Sequence, residues 1–170
     1  LTAASDTFSL KIQGRGAHGS MPDLSIDPIN IGVEIINSIN HLISREVNPF
    51  DTAVISIGKF ISGNAANIIP DTAEIIGTVR TLNEETRQFI AKRIEKTIAN
   101  VCDIYGATYT FDYQFGYDSV QNDAKVTEMV IAAAEKVVPQ NQIIEIPTMM
   151  GGEDFSAYTN AKPGSFFALG

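Results

Sequence analysis

The segment best suited to chemistry is the glycine-rich stretch Gly14–Pro22, which contains His18, one of the two histidines in the 170-residue chain. It follows an alternating strand pattern and precedes a helix pattern. Glycines let the backbone approach a ligand or a second chain closely. A histidine where a strand ends can exchange a proton near neutral pH. The same pattern also fits an ordinary loop with a solvated histidine, so the spacing alone leaves both interpretations open.

Four other residues of reactive types are explained more simply as structural. Glu153 and Asp154 resemble an acid–base pair, but adjacent residues of a helix do not face each other, so we expect one of them to cap a short helix. Cys102 flanks an apolar helix stripe and is interpreted as a small core residue. His41 lies late in a helix and is interpreted as a surface residue or a partner of the helix dipole.

The composition excludes several classes of function. The formal net charge is −8 and the isoelectric point about 4.6, without a cluster of lysines and arginines. This argues against binding to nucleic acid and to anionic membranes. The only cysteine cannot form an internal disulfide, which is typical of a reducing compartment and predicts a cytoplasmic protein. The chain ends on the apolar run 166–170, so we expect a fragment cut at both ends.

Alternation of apolar residues, capping residues and turn residues predicts six elements in the first two thirds of the chain. They are a strand at 7–14, a helix beginning at Asp27-Pro28, strands at 52–61 and 72–82, a helix from Asn83 to Gly106, and a strand at 108–115. This order predicts an α+β, ferredoxin-like βαββαβ fold with a four-stranded antiparallel sheet and two helices on one face.

Helical periodicity also predicts which residues are buried. For the first helix the expected buried stripe is Ile29, Val33, Ile36, Ile39 and Ile43, and Gly32 is expected to contact the sheet closely. For the second helix it is Ile90, Ile94, Ile98, Val101 and Tyr105.

The character of the sequence changes after residue 117. A helix capped by Asp123, a short strand at 142–146, a glycine loop leading into a short helix and a last strand at 165–169 are expected. Two short strands do not make a sheet core, so we interpret this part as an incomplete piece of an α/β domain.

Several segments, taken in order, closely resemble the M20 metallopeptidases, and within them the aminoacylases, hippurate hydrolases and indole-acetyl-amino-acid hydrolases. They are Gly14–Pro22, Asp27-Pro28, Gly63–Asp71, Gly77–Thr81, Gly151–Ser156 and Pro163–Gly170. The resemblance implies a zinc-dependent α/β catalytic domain interrupted by a ferredoxin-like lid that also forms the dimer. On this basis residues 5–117 are the lid and residues 118–170 are a truncated part of the catalytic domain.

The resemblance further implies hydrolysis of the amide between an acyl group and an amino acid or peptide. Two divalent metals, zinc or alternatively manganese, cobalt or nickel, activate a water, and a glutamate acts as the general base. None of the metal ligands of the family, nor this glutamate, can be matched here, and a catalytic zinc site needs three or more convergent ligands. We therefore expect the fragment alone to bind no metal and to be inactive.

Five residues receive roles from the resemblance. His18 is the lid histidine that reaches the active site of the neighbouring subunit, where it stabilises the oxyanion. Asn67 contacts the substrate, and Arg80 pairs with a substrate carboxylate. Gly152 and Glu153 lie where the loop approaches the catalytic cleft and bind substrate. The expected partner is a second copy, bound through an edge strand or the first helix of the lid.

Two alternatives remain open from the sequence. The chain can be a non-catalytic ferredoxin-like module for dimerisation or small-ligand binding, in which His18 and Asn67 are ordinary loop residues. The segments at 151–156 and 163–170 have no purpose in such a module. A second alternative keeps the enzyme family and changes the substrate to dipeptides or a diaminopimelate precursor. The residue sequences of Gly14–Pro22 and Gly151–Ser156 favour N-acyl amino acids.

Overall fold

A four-stranded antiparallel sheet with two long helices on one face forms the main body of this computed structural model, which describes residues 1–170. The elements are β1 (Ala4–Gln13), β2 (Ala17–His18), α1 (Pro28–Arg45), β3 (Ala53–Ser62), β4 (Ile68–Ile69), β5 (Thr72–Thr81), α2 (Glu84–Tyr105), β6 (Thr108–Tyr117), α3 (Ala124–Ala134) and α4 (Ser156–Thr159). The strand order β3-β5-β1-β6 confirms the predicted ferredoxin-like fold. A separate two-stranded ladder joins β2 to β4.

The helices begin where their capping residues predict. The carboxylate of Asp27 accepts from the N–H groups at the start of α1, and the side chain of Asn83 does the same for α2. Asp123 accepts from Val126 N at the start of α3. At the end of α2, Gly106 adopts the left-handed conformation, with φ 72°. These ends agree with the sequence because a cap is a local interaction.

The predicted buried stripe of α1 is correct only in part: Ile39 is buried, and Ile36 and Ile43 pack half-buried against the core. The buried residues are Ile31, Ile35, Ile39 and Leu42, whereas Ile29 and Val33 are exposed. The predicted close contact at Gly32 is confirmed, since a Cβ there would lie 2.8 Å from Cζ of Phe60. That contact helps to fix which side of the helix meets the sheet.

The predicted stripe of α2 is correct except at its end. Ile90, Ile94, Ile98 and Val101 are buried, but Tyr105 is half exposed. Cys102 is 1% exposed within the core, and burial raises the pKa of its thiol. A buried, unionised thiol behaves as a small apolar residue, as expected for this position.

A buried ion pair joins α2 to β1 and to the end of β6. Nε and Nη2 of Arg87 donate to the Asp6 carboxylate at 2.9 and 2.6 Å. The two side chains are only 2% and 1% exposed. Asp6 also accepts from the hydroxyl of Tyr113 and from Gly116 N–H, both at 3.0 Å. Hydrogen bonding to Asp6 raises the pKa of Arg87, so the guanidinium stays charged at every accessible pH.

The two ends of the sheet domain lie side by side. Thr2 N–H donates to Val120 O at 3.2 Å, and Ala3 N–H donates to Gly151 O at 3.1 Å. Asp118 accepts from Arg87 through one carboxylate oxygen and from the Asn160 side chain through the other. The segment before β1, the segment after β6 and α4 therefore meet at one junction.

The strands predicted at 142–146 and 165–169 are not formed, and those two predictions are wrong. Neither segment has a neighbouring strand to pair with, and a strand is stable only as part of a ladder. Instead, the Asn122 side chain accepts from Phe166 N and donates to Phe166 O, both at 2.9 Å. No helix combines the length and the apolar character needed to cross a membrane.

Replacing Arg87 with alanine should lower the free energy of unfolding by about 3–5 kcal/mol, because it leaves a buried carboxylate without its cation. Urea denaturation of the chain measures this change. The matched control is Lys59→Ala, which breaks the exposed pair between Lys59 and Glu74 and should cost about 1 kcal/mol or less. Equal losses in the two variants would contradict the structural role of the buried pair.

Stability should fall as the pH rises above about 10, and Tyr113 should account for part of that fall. Burial, with the nearby Asp6 carboxylate, raises the pKa of Tyr113 above its ordinary value of 10.0. The unfolded phenol ionises first, so its contribution is complete below this pH and is lost above it. Denaturation at several alkaline pH values should show a shallower decline for Tyr113→Phe. The same substitution at the exposed Tyr117 should leave the decline unchanged.

Candidate functional site

The β2–β4 ladder brings two of the candidate residues to one place. His18 pairs with Ile68, and Ala17 pairs with Ile69. The ladder is extended by Gly19 N–H, which donates to Asn67 O at 2.8 Å. Asn67 thus lies opposite Gly19, one position beyond the His18–Ile68 pair, although the two segments are far apart in sequence.

Asp71 anchors the glycine-rich loop that carries His18. Its carboxylate accepts from Gly16 N–H at 2.8 Å, and its backbone oxygen accepts from Gly14 N–H at 2.8 Å. A Cβ at position 16 would lie 2.7 Å from Ile69 O, so only glycine fits there. The loop is therefore held close to β4 by its backbone.

The hydrogen bonds of the His18 ring favour one tautomer. Nδ1 accepts from Ser20 N–H at 3.2 Å and lies 2.7 Å from Ser20 Oγ. A neutral imidazole whose Nδ1 accepts carries its proton on Nε2. Since the side chain is exposed, Nε2–H is a hydrogen-bond donor directed away from the loop's own contacts.

Arg80 lies at the opposite end of the sheet, where it pairs with Ser5 of β1 and Val54 of β3. Both of its hydrogen bonds, to Asp6 O at 3.4 Å and to Val79 O at 3.2 Å, use Nη1. Nε and Nη2 remain as a pair of donors with the spacing of a carboxylate.

Gly152 and Glu153 lie at the same end of the sheet as Arg80. A Cβ at Gly152 would be 2.6 Å from Cβ of Ser5, the residue that pairs with Arg80. Glu153 is half-buried, and its Oε1 accepts from Asp154 N–H at 3.1 Å. Helix α4 begins without a side-chain cap, so the expectation that Glu153 or Asp154 caps it is wrong. A polar depression of about 400 Å³ borders this end, lined by Glu84, Asp118, Ser119, Gln121, Thr159 and Asn160.

The two groups of candidate residues are separated by the length of β1. Between Ser5, beside Arg80, and Gln13, before the His18 loop, the strand advances eight residues, or roughly 26 Å at about 3.3 Å per residue. A substrate the size of an acylated amino acid cannot contact both groups within one subunit.

The residues of the chain do not fit a metal centre. No group of three or more His, Cys, Asp or Glu side chains is arranged to hold a metal ion. His18 and His41 lie on different elements, and Cys102 is buried inside the core.

Sequence reasoning missed the residues that position the candidates. In the sequence, Asp71 and Ser20 are only members of the segments Gly63–Asp71 and Gly14–Pro22, and neither received a role of its own. The one sequence signal for Asp71 is its place between the two β-branched segments of a hairpin, where an aspartate commonly accepts from loop N–H groups.

Replacing Asp71 with alanine should loosen the His18 loop, because Gly16 N–H loses its acceptor. Amide hydrogen exchange at residues 14–19 should become faster, while the core amides of β1 and β5 keep their protection. Asp71→Asn retains an acceptor oxygen and is the matched control, with little change expected. If both variants exchange like the unaltered chain, Asp71 does not hold this loop.

Comparison with protein families and known proteins gives a consistent match. The family described as "Peptidase dimerisation domain" of the M20 group matches residues 4–106. YhaA of Bacillus subtilis, provisionally described as an amidohydrolase, is 39% identical over 168 residues, which are 99% of this chain and 42% of YhaA. The N-acetylcysteine deacetylase of B. subtilis is 35% identical over 100% of this chain and 44% of its own length.

A solved structure extends the match to three dimensions. The YXEP protein of B. subtilis, described as a dinuclear metal-binding peptidase of the M20 family, superposes with a TM-score of 0.74 and 31% identity. The match covers 96% of this chain and 40% of YXEP. The chain thus spans about two fifths of the length of these relatives.

Proposed function

Because this chain belongs to the M20 peptidase family and contains its dimerisation domain, we propose that the whole protein hydrolyses the amide bond of N-acyl amino acids or small peptides. The names of the relatives support this reaction, including the N-acetylcysteine deacetylase. Their matches run through the whole chain, beyond the dimerisation domain, which favours an enzyme over an isolated dimerisation module. In this proposal residues 5–117 form the lid and residues 118–170 belong to the catalytic domain.

The residues of this chain bind and polarise the substrate. Nε2–H of His18 donates to the scissile carbonyl oxygen as that oxygen gains negative charge, which is the role of an oxyanion-hole donor. Asn67, on the chain segment that pairs with the one carrying His18, binds the amide of the substrate through its exposed side chain. At the other end of the sheet, Nε and Nη2 of Arg80 bind the substrate carboxylate, and Gly152 and Glu153 border the same cleft.

The separation of His18 from Arg80 along β1 is the observation that supports an active site shared between two subunits. A single substrate meets both residues only if they come from different subunits. We therefore propose a homodimer formed through the lid, by an edge strand or by α1, in which His18 of each subunit completes the active site of the other. The acidic charge of the chain supports a small-molecule substrate rather than nucleic acid.

We propose that the whole protein uses a pair of divalent metal ions. A divalent metal pair, zinc or alternatively manganese, cobalt or nickel, requires ligands from parts of the protein other than these residues, because the side chains here do not form a metal site. We also propose a cytoplasmic location, on the basis of the single unpaired cysteine.

Mixing two impaired variants tests the shared active site, with activity measured at a substrate concentration far below the KM of the Arg80→Ala variant. In the full-length protein His18→Ala should lower kcat by about 10²–10³, the cost of losing one oxyanion donor, and Arg80→Ala should mainly raise KM. When the two are co-expressed, each mixed dimer has one site with both residues intact. Random pairing should therefore restore about a quarter of the unaltered activity.

The outcomes separate the alternatives. Lys96→Ala, at an exposed lysine on α2 and outside the proposed interface, is the control and should leave activity unchanged. Absence of any recovery in the mixed dimers would mean that His18 and Arg80 do not act across subunits. If the unaltered protein is a dimer that hydrolyses neither N-acyl amino acids nor dipeptides with any of the four metals supplied, the non-catalytic dimerisation module replaces the enzyme.

A further inference from the structure

Three large apolar side chains that are exposed to solvent lie on the loop that carries His18 or on the strand paired with it. Ile68, the cross-strand partner of His18, is 56% exposed, and Met21 and Leu24 are 51% and 56% exposed. We call Met21, Leu24 and Ile68 the apolar patch. The open face of the neighbouring sheet is different, because Thr7, Ser9 and Lys11 of β1 present polar side chains there.

The backbone fixes these residues close to His18. Directly paired residues of an antiparallel ladder have Cβ atoms about 4.5–5.5 Å apart on the same face, so Ile68 lies beside the imidazole. Met21 N–H donates to His18 O at 2.8 Å, which closes a turn, and Leu24 N–H donates to Met21 O at 3.2 Å. Met21 and Leu24 are therefore fixed on the loop that carries the donor, and Ile68 is fixed on the strand paired with it.

We propose that the apolar patch binds the acyl chain of the substrate and sets the preference for its length. This inference rests on the proposed function. The substrate carboxylate is bound at Arg80 of one subunit, and the carbonyl oxygen at His18 of the other. The acyl chain leaves the carbonyl carbon on the side away from the nitrogen, and hence away from Arg80. The groups it meets next are those that flank His18.

The chemistry of the patch fits that ligand. Ile68, Met21 and Leu24 have no charged or hydrogen-bonding side-chain group. Their contact with hydrocarbon is therefore favourable, whereas contact with a carboxylate is not. Covering apolar surface stabilises a complex by about 25 cal/mol per Å², and this contribution grows with each methylene of the acyl chain. The leaving amino acid, held through its charged end, gains little from the same surface.

The test is a substrate series with the full-length enzyme. Hydrolysis of N-acetyl, N-butanoyl and N-hexanoyl derivatives of one amino acid is measured, and the ratio of kcat/KM for hexanoyl to that for acetyl is compared between variants. Ile68→Ala should lower this ratio about tenfold, which corresponds to the loss of about 55 Å² of apolar contact at about 25 cal/mol per Å². Met21→Ala, on a separate segment, should lower it in the same direction. Ile144→Ala, at another exposed isoleucine, is the control and should leave the ratio unchanged.

A second series keeps the acyl group and varies the amino acid. The effect of Ile68→Ala should be the same for every amino acid. If it follows the amino acid instead, or if the acyl ratio equals that of Ile144→Ala, the assignment of the patch to the acyl chain is overturned while the hydrolase remains. If the unaltered enzyme hydrolyses none of the substrates, both the proposed function and this inference are overturned.

Discussion

The buried ion pair between Asp6 and Arg87 is the interaction on which the arrangement of the molecule depends. A charge without a partner in such an environment is strongly unfavourable, so the two side chains must meet, and with them β1 and α2. The remaining donors of Arg87 extend to Gly116 O and Asp118 at the end of β6. The pair therefore fixes the packing of a helix on the sheet and also the direction in which the chain leaves it. Arg80, which donates to the backbone oxygen of Asp6, is held by the same residue.

Local signals in the sequence predicted the elements, and their failures have physical causes. Caps such as Asp27 and Asn83 act within one helical turn, so they are readable from a few residues. The buried face of α1 could be predicted only in part from the sequence, because isoleucine and valine occupy both candidate faces and periodicity does not choose between them. The choice is made by tertiary contact, where Gly32 meets Phe60. Strands at 142–146 and 165–169 were predicted from apolar composition, yet a strand also requires a partner, and none is adjacent.

In the candidate site, too, local sequence signals identify the residues, but tertiary contacts decide where they lie. That the segments carrying His18 and Asn67 lie side by side follows from the pairing of two short strands, which the sequence does not specify. That Arg80 lies at the other end of the sheet follows from the register of β5 with β1, which becomes visible only when the fold is built. Residues that position others, such as Asp71 and Ser20, carry no motif of their own, because a single side chain bonded to backbone leaves little trace in sequence.

The junction at Thr2 and Val120 has a consequence for how this domain coexists with the rest of a polypeptide. Since Thr2 and Val120 are hydrogen-bonded neighbours, the chain enters and leaves the sheet domain at one place, as an insertion into a surface loop of another domain requires. The entropy of closing a loop rises only with the logarithm of its length, and an ordered insert with adjacent termini closes it in advance. In the proposed arrangement, the strands, the helices and the His18 loop can therefore change without altering the topology of the catalytic domain that carries them.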